Sequence, residues 1–213
     1  LTSDGGTDSM DILTGTASAD HLIGYAGNDV MIGGKGADTL TGGRGADTFV
    51  FAAGDTTWSA TSDAGVDVVT DWSGSQDQLS FGTSQFVHYG EQTASTWQEA
   101  VTIAPQVMAS QGLTQLAIQV GGDTYVFSAQ PGSTSGQLEN VVKLAGVGLD
   151  RISIANIKLT LPAINGDDGD NALVGTIGDD VINGLGGNDV IQGGKGIDTL
   201  TGGAGADVFK FVT

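Results

Sequence analysis

Three consecutive nonapeptides, GYAGNDVMI, GGKGADTLT and GGRGADTFV (Gly24–Val50), carry the pattern that decides how this chain folds. Each has glycine first and fourth, aspartate sixth and a large apolar residue eighth. Working back, GTASADHLI (from Gly15) and the weaker GTDSMDILT (from Gly6) keep the phase. The sixth positions are therefore Asp11, Asp20, Asp29, Asp38 and Asp47, and the eighth are Leu13, Leu22, Met31, Leu40 and Phe49. The same array returns near the other end: GDDGDNALV from Gly166, GTIGDDVIN from Gly175, GLGGNDVIQ from Gly184, GGKGIDTLT from Gly193 and GGAGADVFK from Gly202. Its sixth positions are Asn171, Asp180, Asp189, Asp198 and Asp207, and its eighth are Leu173, Ile182, Ile191, Leu200 and Phe209.

The unit has a physical reading. Glycines at positions one, two and four suit a tight turn with positive φ. The tripeptide after them is a short strand that sends one apolar side chain inward and its neighbours outward. Two nonapeptides make one turn of a flattened parallel coil, so loops 18 residues apart lie one above the other, about 4.8 Å from their neighbours. Asp11 then stacks near Asp29, Asp20 near Asp38 and Asp29 near Asp47; Asn171 meets Asp189, Asp180 meets Asp198 and Asp189 meets Asp207. At about 5 Å and an effective dielectric of 20, each carboxylate pair costs on the order of 3 kcal/mol. A hard cation between the loops reverses that sign. Calcium suits best, because it accepts six to eight oxygens and glycine-rich turns offer backbone carbonyls beside each carboxylate. Zinc would want cysteine or histidine; the chain has no cysteine, and neither His21 nor His88 belongs to a cluster.

Composition narrows the function classes. The 25 acidic and 7 basic residues leave a net charge of −18, which argues against nucleic acid or an anionic membrane as partner and favours cations or a basic surface. No uncharged apolar run is long enough to cross a bilayer. The absence of cysteine excludes disulfides, a thiolate metal site and a cysteine nucleophile. The chain opens on Leu1 without a charged-then-apolar leader, which reads as a piece of a larger protein or one exported without an N-terminal signal.

The arrays resemble the RTX (repeats-in-toxin) parallel β-roll family of exported bacterial proteins. The resemblance implies that each calcium lies between loops of alternate repeats, held by both sixth-position side chains and by loop carbonyls. Carried over, the sites pair Asp20 with Asp38, Asp29 with Asp47, Asp180 with Asp198 and Asp189 with Asp207. The loop glycines beside them are Gly34, Gly36, Gly43, Gly45, Gly194, Gly196, Gly203 and Gly205. Asp11 and Asn171 mark the weakest sites, since Asn171 lacks a charge and Ser9 and Ser18 replace the fourth-position glycine. About three ions per roll are expected. Asp4, Asp8, Asp167, Asp168 and Asp170, out of phase or at the array ends, read as solvated charge.

Between the arrays the nonapeptide phase disappears. The organisation expected is an N-terminal roll over 1–51, a capping segment of strands plus one helix over 52–164, and a C-terminal roll over 165–213: a mainly all-β chain with two parallel β-rolls flanking a β-rich cap. Strand patterns fall at Val66–Trp72, Gln78–Phe81, Gln115–Val120, Thr124–Phe127 and Val141–Leu144, with Gly121-Gly122-Asp123 as a hairpin turn. A helix is predicted over Trp97–Gln111, opened by a Thr96/Glu99 capping box, stopped by Gly112, and kinked or divided at Pro105. The stretch from Asp67 to Phe81 is similar to the segment directly after the roll in secreted metalloproteases and alginate-epimerase R-modules. GGDTYVF…NVVKLAGV is similar to the capping segment of long exported RTX proteins. Both imply a small β-rich cap over the open end of the roll. Trp58, Trp72, Trp97, Phe81, Phe86 and Tyr125 read as core in preference to a carbohydrate platform. Asp55, Asp63, Asp67, Asp71 and Asp77 have no repeat to place them and read as ordinary charge in preference to a further ion site.

No catalytic constellation is present: there is no HExxH, no GxSxG (Gly132–Gly136 has threonine at its centre and reads as a polar loop), and the glycine loops lack the Lys-Ser/Thr of a phosphate cradle. The function expected is a non-enzymatic calcium-binding module of a larger secreted or cell-surface bacterial protein, of adhesin or surface-layer type, that folds on calcium after type I secretion. The alternatives are an accessory module of a secreted metalloprotease, lipase or alginate epimerase, and a glycan-binding module. The partners expected are calcium ions, with a surface glycan or neighbouring copies of the chain as further candidates, and no nucleic acid.

Overall fold

The structure, a computed structural model, describes residues 3–52, 54–81, 88–129, 137–158, 163–175, 180–194 and 198–211. The Gly132–Gly136 loop, Phe86 and Gly196 lie outside the described residues. The chain forms two compact units, Leu1–Leu159 and Thr160–Thr213.

The first unit begins as a parallel coil of three-residue strands: β1 (Ser3–Gly5), β2 (Ile12–Thr14), β3 (His21–Ile23), β4 (Val30–Ile32), β5 (Thr39–Thr41) and β6 (Thr48–Val50). Odd strands stack in one sheet and even strands in the other, in the orders β1-β3-β5 and β2-β4-β6. Every pairing is parallel with partners 18 residues apart, as in His21↔Thr39 and Val30↔Thr48. The eighth-position side chains Leu22, Met31, Leu40 and Phe49 are wholly buried between the two sheets. A single inward side chain per strand is all that so thin a coil can enclose, which is why the pattern tolerates glycine and polar residues everywhere else.

The coil does not stop where the repeat stops. β7 (Asp67–Val69) adds to β5 and β8 (Gln78–Ser80) adds to β6, again in parallel, with Leu40 opposite Val69 and Phe49 opposite Leu79. Hydrogen bonding thus runs on across the change of sequence pattern near residue 51. Beyond β7 the sheet continues as β12 (Leu138–Leu144), β11 (Asp123–Ala129), β10 (Gln115–Val120) and β9 (Tyr89–Ala94), while β13 (Ile157–Lys158) closes the other sheet beside β8. Gly121, at φ 63°, makes the turn between β10 and β11, whose pairing begins at Val120↔Asp123.

Helix α1 (Trp97–Gln111) crosses from β9 to its parallel neighbour β10. The Thr96 side chain accepts from the Glu99 N–H, and Gly112 ends the helix in the left-handed region. The glutamate arm reaches one residue further back than a capping box requires: Glu99 Oε2 accepts from the Ser95 N–H at 2.7 Å. The helix is one continuous element through Pro105 and is not divided there. Ala100, Ala104 and Met108 pack against Leu116, Ile118 and Phe127 on one face of the sheet. The opposite face, through Ala117, Val126, Val142 and Leu144, continues the core of the coil. Trp72, Phe81 and Tyr125 are buried, and Trp97 stacks on Phe127 with ring centroids 6.1 Å apart, so these aromatics are core.

The second unit repeats the coil: β14 (Ile164–Asn165), β15 (Ala172–Val174), β16 (Val181–Asn183), β17 (Val190–Gln192), β18 (Thr199–Thr201) and β19 (Val208–Lys210), in the orders β14-β16-β18 and β15-β17-β19. Its pairings keep the 18-residue spacing. Among the described residues no strand lies beyond β18 or β19, and Phe209 stays 40% exposed where its counterpart Phe49 is 0%.

Candidate metal centre

Each loop between successive strands is pinned by its sixth-position aspartate. The backbone N–H of that residue donates to Oδ1 of the aspartate one turn on: Asp11 to Asp29 and Asp20 to Asp38 at 2.8 Å, and Asp29 to Asp47 at 2.9 Å. In the second unit Asn171 donates to Asp189 at 2.9 Å, Asp180 to Asp198 at 3.1 Å and Asp189 to Asp207 at 3.0 Å. The ladder of carboxylates expected from the spacing is thus formed in both coils, each rung lending one oxygen to the rung before it.

The ladder is longer than the repeat. Asp38 donates to Asp67 Oδ1 at 2.8 Å, and Asp47 donates to Asp77 Oδ1 at 3.1 Å. Asp67 and Asp77, read from sequence as ordinary charge, are buried sixth-position rungs. The signal was there: Asp67-Val68-Val69 and Asp77-Gln78-Leu79 each repeat the aspartate-x-apolar triad of Asp47-Thr48-Phe49, and Gly65 keeps the fourth-position glycine before Asp67, although the first- and second-position glycines are missing from both. Asp71 accepts from the N–H groups of Gly42 at 3.0 Å and Gly43 at 2.7 Å, in the loop of Asp47. Asp55 is buried and accepts from the Ala52 N–H, whereas Asp63 accepts from the Tyr125 hydroxyl and lies 3.7 Å from the Lys143 ammonium, away from the ladder.

The second carboxylate oxygen separates the rungs into two kinds. Asp29, Asp38, Asp47, Asp67 and Asp189 each bury an Oδ2 that has no hydrogen-bond partner among the described residues. A buried anion with one bare oxygen is costly unless a cation faces it. In contrast, Oδ2 of Asp11 and of Asp20 accepts from a threonine of its own loop, and Asn171 Oδ1 accepts from the Asp167 N–H. Asp8, Asp167, Asp168 and Asp170 are exposed.

Charge follows geometry. Burial, partly offset by the N–H each carboxylate accepts and reinforced by neighbouring aspartates, raises Asp29, Asp38 and Asp77 to about 6 and Asp67 to about 8. Burial raises Asp47 and Asp55 too.

The loop backbones supply oxygens as well. Gly34, Gly43, Gly45, Gly203 and Gly205 all have positive φ. A Cβ on Gly34 would overlap the Thr16 carbonyl oxygen, on Gly43 that of Tyr25, on Gly45 that of Gly27, on Gly203 that of Leu185 and on Gly205 that of Gly187. Gly36 and Gly194 also have positive φ. Tyr25 and Leu185, at φ 73° and 74°, are the described non-glycine residues with positive φ, and both occupy position two of a repeat. Among the described residues no three acidic or histidine side chains converge into a ready-made cage. Stacked carboxylate pairs with inter-loop carbonyls make an all-oxygen donor set, which fits a hard cation such as calcium and not zinc. His21 is half-buried on β3, and His88 Nδ1 lies 2.9 Å from the Gly112 carbonyl.

Residues 5–40, 24–57, 165–200 and 183–210 match the family described as the RTX calcium-binding nonapeptide repeat (4 copies). Among solved structures, the chain is similar to the AlgE6R3 subunit of the Azotobacter vinelandii mannuronan C5-epimerase: 30% identity over 72% of this chain and 80% of that one, TM-score 0.43. It is likewise similar to the AlgE6R2 subunit, at 29% identity over 73% of this chain and 90% of that one, TM-score 0.43. The extracellular lipase LipA of Serratia marcescens is 24% identical over 74% of this chain but only 21% of its own, TM-score 0.33. Among curated proteins none matches.

Proposed function

The chain belongs to the family of RTX calcium-binding nonapeptide repeat proteins, and from that premise we propose that it is a non-catalytic module of an exported bacterial protein whose folding is driven by calcium. The observation that carries this reading is the set of carboxylate oxygens on Asp29, Asp38, Asp47, Asp67 and Asp189 that are buried without a hydrogen-bond partner among the described residues. Calcium supplies the positive charge and the high oxygen coordination that such rungs lack. The side chains best placed to hold it are Asp29 with Asp47, Asp38 with Asp67, and Asp189 with Asp207, together with carbonyls of the facing loops. Asp180 with Asp198 forms a further all-carboxylate rung of the second coil. These are two candidate sites in each coil, against the three or so per roll expected from the sequence.

In calcium-poor cytosol the like charges of the ladder oppose closure of the coil, which keeps the chain open for passage through a secretion channel. Outside, at ~1 mM calcium and a Kd of ~10⁻⁴ M, each site adds about 1.4 kcal/mol. Several sites together reach the 5–15 kcal/mol typical of a whole domain. Far-UV circular dichroism with calcium and with EGTA tests the proposal. The β-signal is expected to collapse on chelation and return with calcium, and an unchanged β-rich spectrum in EGTA would defeat it.

The 30% identity to a subunit of a mannuronan C5-epimerase favours a second reading, an accessory module that helps a secreted enzyme hold a polysaccharide. Titration of the calcium-loaded chain with mannuronan and with a neutral glycan separates the two: no heat with either removes the second reading and leaves the first standing.

A further inference from the structure

The loops of the two coils come in two conformations, and the difference lies at positions two and four. In the loops of the first array that bear an unpartnered aspartate oxygen, both positions turn left-handed, at Tyr25 and Gly27 (φ 73° and 135°), Gly34 and Gly36 (85° and 140°), and Gly43 and Gly45 (100° and 137°), whereas the loop before Asp67, beyond the array, has no positive φ at Asp63 or Gly65. The loops headed by Gly6-Thr7 and Gly15-Thr16 are different. Thr16 and Ser18 do not have positive φ, and the Thr16 N–H and hydroxyl both donate to Asp20 Oδ2, at 2.6 and 2.8 Å. The Ser18 N–H in turn donates to Thr16 Oγ1 at 3.2 Å. Thr7, Ser9 and Asp11 repeat this arrangement at 2.6, 2.8 and 3.2 Å. The first loop of the second coil reaches the same end with an amide, as Asn171 Oδ1 accepts from the Asp167 N–H at 2.8 Å and its Nδ2 donates to Asp167 Oδ1 at 3.1 Å.

We infer that Thr16 with Ser18, and Thr7 with Ser9, are built-in end stops that close their loops without metal and fix where the ion ladder begins. In an open loop the second carboxylate oxygen is buried and bare. In a closed loop that oxygen already holds two donors, and the threonine side chain occupies the place beside it. The Asp20–Asp38 pair, equivalent by spacing to Asp29–Asp47, therefore lacks one of its two available oxygens in the native chain, although Asp38 Oδ2 is buried and without a partner. The first turn of the coil is thus a metal-independent template on which the metal-dependent rungs stack. This inference rests on the calcium-binding reading above.

The test rewrites one loop. T16G/S18G turns GTASAD into GGAGAD, the sequence of Gly202–Asp207, and T16Y/S18G turns it into GYAGAD, close to the GYAGND of Gly24–Asp29. The second rewriting covers the case in which the double-glycine chain does not fold. Bound calcium per chain is counted by native mass spectrometry at saturating calcium for the whole 213-residue chain and each variant. One ion more than the parent is expected in the folded variants, while Thr16→Ser, which keeps the hydroxyl, is expected to hold the parent's number. A parent that binds calcium and variants that bind the same number overturn the end-stop assignment alone. A parent that binds none overturns the calcium reading and this inference together.

Discussion

Replacing Asp38 by asparagine isolates the metal dependence of one rung. Asp38 is central: its Oδ1 accepts from the Asp20 N–H, its own N–H donates to Asp67 Oδ1, and its Oδ2 is bare. Asparagine has the same shape and keeps an oxygen for the Asp20 N–H, so the ladder of hydrogen bonds survives. One negative charge and one ligand are lost. In chelator the loss of charge relieves repulsion against Asp20 and Asp67, each pair being worth up to about 3 kcal/mol at one rung's separation and an effective dielectric of 20. D38N is therefore expected to be no less stable than the parent without calcium. With calcium it loses the ion position shared with Asp67. At concentrations well above Kd, each bound ion adds about 1.4 kcal/mol of stability per tenfold rise in free calcium. Urea unfolding followed by circular dichroism across a calcium series reads that slope directly. The slope for D38N is expected to fall by about 1.4 kcal/mol per decade, with a crossing of the two stabilities at low calcium. Equal slopes, with the variant weaker by the same amount throughout, would show Asp38 to be a hydrogen-bonding residue and nothing more.

Other outcomes rest on the same structure. Because Asp29, Asp38 and Asp77 are raised from 3.8 to about 6 and Asp67 to about 8, their metal-free contribution is whole below pH 3.8 and is lost as pH rises through those values. Melting in EGTA is expected to be highest near pH 4 and to fall toward pH 8, and calcium should flatten that fall; a metal-free melting temperature that rises over this range would contradict the burial argument. Phe49→Ala is expected to cost about 3–5 kcal/mol, since the ring is fully buried 6.3 Å from that of Trp72, whereas Phe209→Ala at the same repeat position should cost about 1 kcal/mol or less. Gly45→Ala, at φ 137° with the Gly27 carbonyl in the way of a Cβ, is expected to cost more than about 1 kcal/mol, measured by urea midpoint in calcium. Thr96→Ala, which removes the acceptor for the Glu99 N–H, should cost about 1 kcal/mol.

The coil itself was legible because every instruction for it is local. Nine residues contain the turn, the strand and one inward side chain, so the period alone fixes that His21 lies beside Thr39 and that Asp20 stacks on Asp38 in the ladder. Helix α1 was legible for the same reason, with its cap, apolar face and stop all inside one short segment. Strand β9 was not: Tyr89–Ala94 is an edge strand whose side chains are half-buried or exposed, so it carries no apolar alternation, and its place is set by the helix that returns the chain to β10. Asp67 and Asp77 were overlooked because they fall out of the nine-residue phase and lack the first- and second-position glycines, and stacking on Asp38 and Asp47 shows them to be rungs.

Sequence by itself determined the period, the turn-strand alternation and which residues of the two arrays stand at the ladder positions, since these depend on neighbours within nine residues. Tertiary structure alone decided which carboxylate oxygens are left bare and how far the ladder runs past the repeat. It also decided why Phe49 is sealed while Phe209, in the same phase, is open to water. Burial and hydrogen-bond satisfaction depend on what the next turn of the coil brings, and that next turn is 18 residues away inside the arrays but 29 or 30 where the first array gives way to β7 and β8.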